Sequence, residues 1–269
     1  MMFTESSLSP GALTLMGAMC GDVIGSSYEF RKTKNYDFQL FKPRSKFTDD
    51  TVCSIAVADS ILHDIPFDKS LQKWCLKYPT RGYGKSFKQW LTSENPMPYN
   101  SWGNGSAMRV SPVGVAAGSI EEALELAKKS AEVTHDHPEG ITGAQAVAAA
   151  VYMALHGATK QEIKDFITLN FGYDLSRKYE DIKPTYKFEV SCQKSVPESI
   201  ICFLESTDFE SAIRLAVSMG GDADTMGAIA GSIAAAYYKE INPSILNGVS
   251  ELLTDDIKEL VLEFSEKYK

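Results

Sequence analysis

The sequence lacks the cysteine pairs and the excess of positive charge that would assign it quickly to a class of protein. Its five cysteines are widely spaced and none forms a CxxC pair. This spacing argues against a disulfide framework or a zinc site and favours free thiols in a reducing compartment. The formal net charge is -8. A nucleic acid is therefore not expected as the main partner, because binding its backbone needs clustered lysine and arginine.

Segments that would cross a membrane or direct secretion are also missing. The longest weakly polar runs, residues 143–155 and 226–238, are shorter than the roughly 20 residues needed to span a bilayer. An apolar stretch over 12–20 has no lysine or arginine before it, since the first basic residue is Arg31, and this argues against an export signal. We therefore expect a cytoplasmic protein with no membrane partner. The sequence carries no signal for oligomeric state.

Alternating patterns typical of strands are scarce as well. Between turn signals the chain is rich in alanine, and its apolar residues recur every three or four positions, as in amphipathic helices. No change in composition divides the 269 residues. The sequence therefore predicts an all-α fold in one compact domain over residues 1–269. Residues 78–109, rich in Gly, Pro, Asn and Ser, and residues 172–195, with Pro, Tyr and charge, are predicted loops.

The first predicted helix carries a row of glycines. Gly17, Gly21 and Gly25 fall four residues apart and so lie on one face. Without side chains there, another backbone can approach closely. Asp22 and Glu29, seven residues apart, are predicted to share a face of this helix.

Two short acidic clusters lie far apart in the chain, and each opens a helical pattern: Thr48-Asp49-Asp50-Thr51 and Asp222-Ala223-Asp224-Thr225. The helix dipole stabilises an aspartate at a helix start by only about 0.3 to 1 kcal/mol, whereas unpaired like charges in a shared site raise one another's pKa. A divalent cation removes that conflict, because Mg²⁺, Mn²⁺ and Ca²⁺ bind the carboxylate and hydroxyl oxygens offered here. The two clusters together therefore predict a metal site.

Each of these features also has a plainer interpretation. Thr and Asp are ordinary cap residues, so either acidic cluster alone fits a capped helix, and the small-residue helix after Asp224 fits a packed core. The loop Gly103-Asn104-Gly105-Ser106 is either a backbone nest for a diphosphate or a surface turn. Trp102 fits a stacking partner, a core residue or a lid residue. His135 is favoured as a ligand contact, and His137 as a surface or packing residue.

Seven short motifs follow one another along the chain. They are Gly21-Asp22-Val23-Ile24-Gly25 with Glu29 downstream, Phe47-Thr48-Asp49-Asp50-Thr51, Arg81-Gly82-Tyr83-Gly84, Ser101-Trp102-Gly103-Asn104-Gly105-Ser106-Ala107-Met108-Arg109, Thr134-His135, Ser195-Val196-Pro197, and Gly220-Gly221-Asp222-Ala223-Asp224-Thr225. Each motif alone is weak, but the ordered set, which spans residues from about 14 to 240, resembles the ADP-ribosylglycohydrolase family. That family includes the dinitrogenase reductase-activating glycohydrolase and the ADP-ribosyl-acceptor hydrolases.

The resemblance implies an all-α, orthogonally packed fold with a binuclear Mg²⁺ or Mn²⁺ site that cleaves ADP-ribose from an acceptor. It implies that one cation is held by Thr48, Asp49 and Asp50, and the second by Glu29, Asp222 and Thr225. Asp224 would bridge both. The region from residue 81 to 83 and the segment 172–195 vary within the family and would select the acceptor.

The resemblance also implies where the substrate lies. The residues expected to line the diphosphate and adenosine side are Gly84, Ser101, Trp102, Gly103, Asn104, Gly105 and Ser106. Trp102 lies where an aromatic ring can stack on adenine, and His135 where a ring can contact the phosphate or ribose of the substrate.

The chemistry of glycosidic cleavage suggests roles for three carboxylates. The reaction passes through an oxocarbenium-like ribose, for which most glycosidases use two carboxyl groups. Two metals can replace much of that by orienting the ribose diol and lowering the pKa of a bound water. Our hypothesis is that Glu29 accepts the proton of that water or assists the leaving group, while Asp49 and Asp50 set the metal positions.

The predicted function is removal of ADP-ribose from an N-linked acceptor, with arginine on a protein as the first choice. The expected partners are an ADP-ribosylated protein or small molecule, with free ADP-ribose as product. Two alternatives stay open: an ADP-ribose-binding protein without activity, and an unrelated two-metal phosphohydrolase. The loop 101–109 favours a ligand longer than a phosphate monoester.

Overall fold

The computed structural model describes residue 3 and residues 8–269, and within them it contains helices, turns and loops but no strand. One isolated antiparallel bridge joins the backbones of Gly103 and Ser191. The all-α prediction is confirmed. The helices are α1 Pro10–Gly25, α2 Asp49–His63, α3 Phe67–Lys77, α4 Lys85–Leu91, α5 Gly105–Met108, α6 Ser111–Ala116, α7 Ile120–Glu132, α8 Pro138–Leu155, α9 Lys160–Phe171, α10 Tyr179–Ile182, α11 Cys192–Glu205, α12 Phe209–Ser218, α13 Ala223–Tyr238, α14 Pro243–Ser250 and α15 Asp255–Lys267.

Helices α1 and α13 form the centre of the fold, and nearly every residue of both is buried. They pack against each other along small residues: a Cβ on Gly17 would lie 2.5 Å from the carbonyl oxygen of Gly231, and a Cβ on Gly21 would overlap the backbone of Gly227. Such an approach is possible only without side chains at these positions. The close helix contact predicted from the glycine spacing is therefore confirmed.

The packing of α1 on α13 brings three helix ends together. α1 ends at Gly25, beside Ala223 at the start of α13. Thr48 caps α2, as its side-chain oxygen accepts a hydrogen bond from the N–H of Asp50. The two acidic clusters, far apart in sequence, thus begin two helices that meet at one place.

Several local predictions differ from the structure. Glu29 lies beyond the end of α1, so it does not share a helix face with Asp22 as predicted. The predicted loops contain the short helices α4, α5 and α10, because their few apolar residues gain burial only from tertiary packing. α11 begins at Cys192, inside the predicted loop 172–195, and Pro197 stands within this helix.

The structure can be compared directly with the predictions about cysteines and about membrane-spanning segments. All five cysteines, which lie in the described part of the chain, are buried free thiols. Among residues 3 and 8–269, no helix has both the length and the apolar character needed to cross a bilayer.

Candidate active site

Carboxylates from four parts of the chain converge where α1, α2 and α13 meet. Oxygens of Asp22, Asp50 and Asp224 lie within 4.8 Å of one another, and so do oxygens of Glu29, Asp222 and Asp224. Asp224 belongs to both groups. The arrangement therefore consists of two adjacent acidic sites that share one carboxylate.

Asp22 is the member of this cluster that accepts the most hydrogen bonds. It accepts hydrogen bonds from the N–H of Thr48 at 2.9 Å and the hydroxyl of Thr48 at 2.7 Å. It also accepts from the N–H and the hydroxyl of Thr51, at 3.1 and 2.5 Å. Asp22 thus fixes the first turn of α2 to α1. No role of Asp22 was predicted from the sequence, although a lone carboxylate on an otherwise apolar helix indicates one.

Burial and mutual repulsion disfavour the charged form of these carboxylates. Burial, followed by the charges of neighbouring aspartates, raises the pKa of Asp50 and of Asp224 well above its ordinary range. Burial and Asp222 raise the pKa of Glu29 to about 7. Burial and Asp22 raise the pKa of Asp49 to about 7. The charge of Lys46 acts in the opposite direction on Glu29 but does not offset burial and repulsion.

The donor atoms fit hard divalent cations. Oδ1 of Asp50 is buried and has no hydrogen-bond partner among the described residues, which is costly unless an ion or water takes its lone pairs. Thr225 adds a hydroxyl whose Oγ1 lies 3.4 Å from Oδ2 of Asp50. Carboxylate and hydroxyl oxygens are what Mg²⁺ and Mn²⁺ prefer. Seven predicted ligands lie in or next to this cluster: Glu29, Thr48, Asp49, Asp50, Asp222, Asp224 and Thr225.

A cavity of about 500 Å³ opens next to the acidic cluster. It is large enough for a nucleotide-sized ligand. Of the predicted substrate residues, Gly84, Ser101, Trp102, Gly103, Asn104, Gly105 and His135 line it. Ser106 does not: it is fully buried, and its hydroxyl donates to the carbonyl oxygen of Gly140 at 2.7 Å. Its contact is with α8, because α5 turns that side chain away from the cavity.

The glycine loop is held by one hydrogen bond within it and by two to other parts of the chain. The N–H of Gly103 donates to Oγ of Ser101 at 3.2 Å, and the N–H of Asn104 donates to the carbonyl oxygen of Val190 at 2.7 Å. The side-chain amide of Asn104 donates to Oδ2 of Asp222 at 2.9 Å. Two N–H groups of the predicted nest are therefore already used, and Asn104 connects the loop to the acidic cluster.

A relay of hydrogen bonds reaches His135. Arg109, which is fully buried, donates to Oγ1 of Thr134 at 2.8 Å, and Oγ1 lies 2.7 Å from Nδ1 of His135. Nδ1 is the one acceptor within reach of the Thr134 hydroxyl proton among the described residues, which favours the tautomer with the ring proton on Nε2, the nitrogen beside Gly105. Burial and the charge of Arg109 lower the pKa of His135 well below its usual value. His135 is therefore a neutral donor at the cavity wall.

Exposed apolar side chains stand at the mouth of the cavity. Trp102 is 49% exposed, and Phe188 and Val190, on the segment before α11, are 39% and 41% exposed. Phe188 and Val190 were not predicted as site residues from the sequence. The signal for them was their apolar character within a charged loop. No roles were predicted for Arg109 and Thr134 either.

The fold and the site define a helical protein with two adjacent acidic sites, which share Asp224, beside a nucleotide-sized cavity. The sequence profile of the ADP-ribosylglycohydrolase family matches residues 12–269. The chain therefore belongs to the ADP-ribosylglycohydrolase family, and the prediction of an enzyme of this class is confirmed.

Curated relatives agree with this assignment. The human ADP-ribosylhydrolase ARH3 is 28% identical over an alignment of 306 positions, and the alignment covers 83% of this chain and 84% of that protein. The ADP-ribosylarginine hydrolase Tri1 of Pseudomonas putida (strain GB-1) is 24% identical over an alignment of 272 positions, which covers 87% of this chain and 72% of that protein. A solved structure titled ADP-ribosylglycohydrolase-related protein complex shares the fold, with a TM-score of 0.73 and 22% identity over 99% of this chain and 100% of the other.

Proposed function

We propose that this protein uses two divalent cations, Mg²⁺ or Mn²⁺, to hydrolyse the glycosidic bond between ADP-ribose and an acceptor. The observation that supports this most strongly is the pair of carboxylate groups that share Asp224. The unpartnered buried oxygen of Asp50 supports it independently.

The proposed ligand sets follow the family motifs. Thr48, Asp49 and Asp50, at the start of α2, would hold one cation; Glu29, Asp222 and Thr225 would hold the other, with Asp224 between them. When bound, the cations supply a water of lowered pKa and fixed positions for the ribose hydroxyls. Asp22 positions Thr48 and Thr51 through its four hydrogen bonds, and so sets the direction of the first turn of α2.

Glu29 is the proposed proton acceptor. It lies at the junction of the cavity and the acidic cluster and is half-buried. In the metal-free protein, burial and Asp222 raise its pKa to about 7. Bound cations would lower that pKa and keep Glu29 ionised, so that it can take a proton from water and pass it to the leaving acceptor. Asp49 and Asp50 act as positioning groups beside it.

The 500 Å³ cavity is the proposed site of the ADP-ribose moiety. Trp102 offers a ring face for adenine, with Phe188 also at the mouth. His135 presents Nε2–H for the diphosphate or ribose. The loop Ser101 to Gly105 lines the same wall.

The proposal also concerns the acceptor, the residue from which ADP-ribose is released. Arginine is the sequence-based choice, and Tri1 carries that activity in its name. ARH3 is named without an acceptor. Release of ADP-ribose should be measured from ADP-ribosylarginine and ADP-ribosylserine peptides, with Mg²⁺, with Mn²⁺ and with chelator, beside a phosphate monoester. A cytoplasmic location and a single domain over residues 1–269 stay predictions.

The assay also tests the two alternative functions. Metal-dependent release of ADP-ribose supports the proposal. Cleavage of the phosphate monoester alone would indicate a phosphohydrolase, and tight retention of ADP-ribose without turnover would indicate a binding protein.

Replacing Glu29 by glutamine tests the proposed proton transfer. The variant removes the base but keeps an oxygen ligand, so kcat should fall by about 10²-fold or more, while affinity for ADP-ribose, measured by calorimetry, stays within about twofold. Glu94, an exposed residue outside the cavity, gives the matched control Glu94→Gln. Unchanged turnover of Glu29→Gln would exclude this role.

A further inference from the structure

A second cavity, of about 730 Å³, reaches the acidic centre from another side. Glu29, Asp49 and Asp224 line both this cavity and the one assigned to ADP-ribose. The centre thus has two approaches, and a bond cleaved between them has one substituent on each side.

The second cavity is lined by positive charge. It contains five cationic side chains, and we call it the basic cavity: Arg31, Lys42, Arg44, Lys46 and Arg81. None of the five forms a salt bridge with another residue of the described chain. Its only acidic lining residues are the three that belong to the catalytic centre. In a chain of net charge -8, such a group of unbalanced cations needs an explanation.

Two of the cations are held in place by aromatic rings. Nζ of Lys42 lies 3.8 Å from the ring centre of Tyr28, and the guanidinium carbon of Arg81 lies 3.6 Å from that of Phe47. Arg81 also donates to the carbonyl oxygen of Phe47 at 3.2 Å. These contacts fix the charges without neutralising them.

The other three cations are exposed and available to a partner. They are Arg31, Arg44 and Lys46. The loop that carries Arg44 and Lys46 is tied to the end of α1, since the N–H of Lys46 donates to Oγ of Ser26 at 3.1 Å. The backbone that carries Arg44 and Lys46 is therefore held beside the opening, where their charges attract anionic groups.

We propose that the basic cavity receives the acceptor side of the substrate, and that this acceptor is a peptide with aspartate or glutamate next to the ADP-ribosylated residue. The proposal rests on the proposed function, which places ADP-ribose in the other cavity. A peptide fits better than a nucleic acid, because the cations surround one cavity instead of forming a stripe, and the overall charge of -8 repels an extended polyanion. If the modified residue is arginine, acidic neighbours also offset its own positive charge.

The test compares three peptides that carry ADP-ribose on the same residue, with acidic, neutral or lysine neighbours. We expect kcat/KM to be about three- to tenfold higher for the acidic peptide than for the neutral one, and lowest for the lysine peptide. The preference should shrink between about 0.05 M and about 0.5 M salt, because exposed charges are screened. It should be lost in the double variant Arg31→Gln/Arg44→Gln.

The matched control removes two positive charges elsewhere. Lys128 and Lys129 lie exposed on α7, away from both cavities, and Lys128→Gln/Lys129→Gln should keep the peptide preference. Affinity for free ADP-ribose should be the same in the wild type and in both double variants. These readouts separate a docking role from a general effect of net charge.

The outcomes are distinct. Equal kcat/KM for all three peptides overturns the inference and leaves the proposed function standing, whereas no release of ADP-ribose from any peptide overturns the proposed function itself. A loss of ADP-ribose affinity in Arg31→Gln/Arg44→Gln would assign the basic cavity to the nucleotide and also overturn the inference. Faster cleavage of an ADP-ribosylated oligonucleotide than of the acidic peptide would overturn the choice of a peptide.

Discussion

The carboxylates of the centre differ in what already occupies their oxygens. Asp22 accepts four hydrogen bonds from Thr48 and Thr51, whereas Oδ1 of Asp50 has no partner in the described chain. Three of the four bonds fall on Oδ2 of Asp22 and one on its Oδ1, so Asp22 is largely committed to holding the first turn of α2. The free oxygen of Asp50 is the stronger candidate for binding a cation, although both side chains are buried.

At the residue scale, Trp102→Ala tests adenine stacking. An exposed indole at the cavity mouth that stacks on a base contributes about 1 to 3 kcal/mol, so we expect the Kd for ADP-ribose to rise about tenfold by isothermal titration. Leu169, which is 85% exposed on α9, gives the control Leu169→Ala, for which the Kd should stay unchanged. An unaltered Kd in Trp102→Ala would exclude stacking.

The residues of the site were only partly predictable from sequence. Asp49, Asp50, Asp222 and Asp224 stand in short clusters at helix starts, so local pattern was enough to find them. Phe188 and the basic cavity were not found, because their neighbours come from distant segments. Such groups are brought together by tertiary packing, which leaves no spacing rule in the chain.

At the element scale, the site depends on how closely α1 approaches α13. α1 carries Asp22 and leads into Glu29, and α13 begins with Asp224 at its first turn. Glycines on the facing surfaces allow the backbones to touch. The two helices therefore set the distance between carboxylates that are about two hundred residues apart in the chain.

Gly21→Ala tests this helix contact. Its new methyl group would overlap the backbone of Gly227, and because two main chains cannot move apart without disturbing the core, the free energy of unfolding should fall by about 3 kcal/mol or more. Chemical denaturation measures the change. In Gly84→Ala the new Cβ meets no atom within 4 Å, and stability should change little. Equal stability of the two variants would contradict the packing account.

Some helix boundaries could be predicted from the sequence and others could not. The starts of α2 and α13 were predicted because cap residues act locally. Helices α4, α5 and α10 were missed, since helices of four to seven residues have too few hydrogen bonds to be stable alone and form only when packed. The prediction that Glu29 lies on α1 was wrong for a related reason. α1 ends at Gly25, four residues before Glu29, and no strong stop signal marks that end.

At the scale of the whole molecule, the acidic centre lowers stability unless cations balance it. The pKa values of Asp49 and Glu29 are raised to about 7, above the 3.8 and 4.5 of the unfolded chain. A raised folded pKa means that stability is fully present below the unfolded value and is lost as pH rises through the folded value. The metal-free protein should therefore be less stable at pH 8 than at pH 5.

Thermal unfolding across pH checks this expectation. In chelator, we expect Tm to fall by about 5 °C or more between pH 5 and pH 8. Excess Mg²⁺ or Mn²⁺ should remove most of the fall, because an ion that binds only the folded state stabilises it. Sodium chloride at equal ionic strength is the control and should leave the fall in Tm unchanged. A Tm that is flat over this range in chelator, or unaffected by divalent cations, would count against the account.

The central claim is that distant carboxylates bind two cations through a shared Asp224, and a calorimetric titration of Mn²⁺ into metal-free protein tests it most directly. We expect two Mn²⁺ ions bound per chain, and a weakening of both in Asp224→Asn, because that side chain belongs to both carboxylate groups. No binding, or binding that Asp224→Asn leaves unchanged, would contradict the claim.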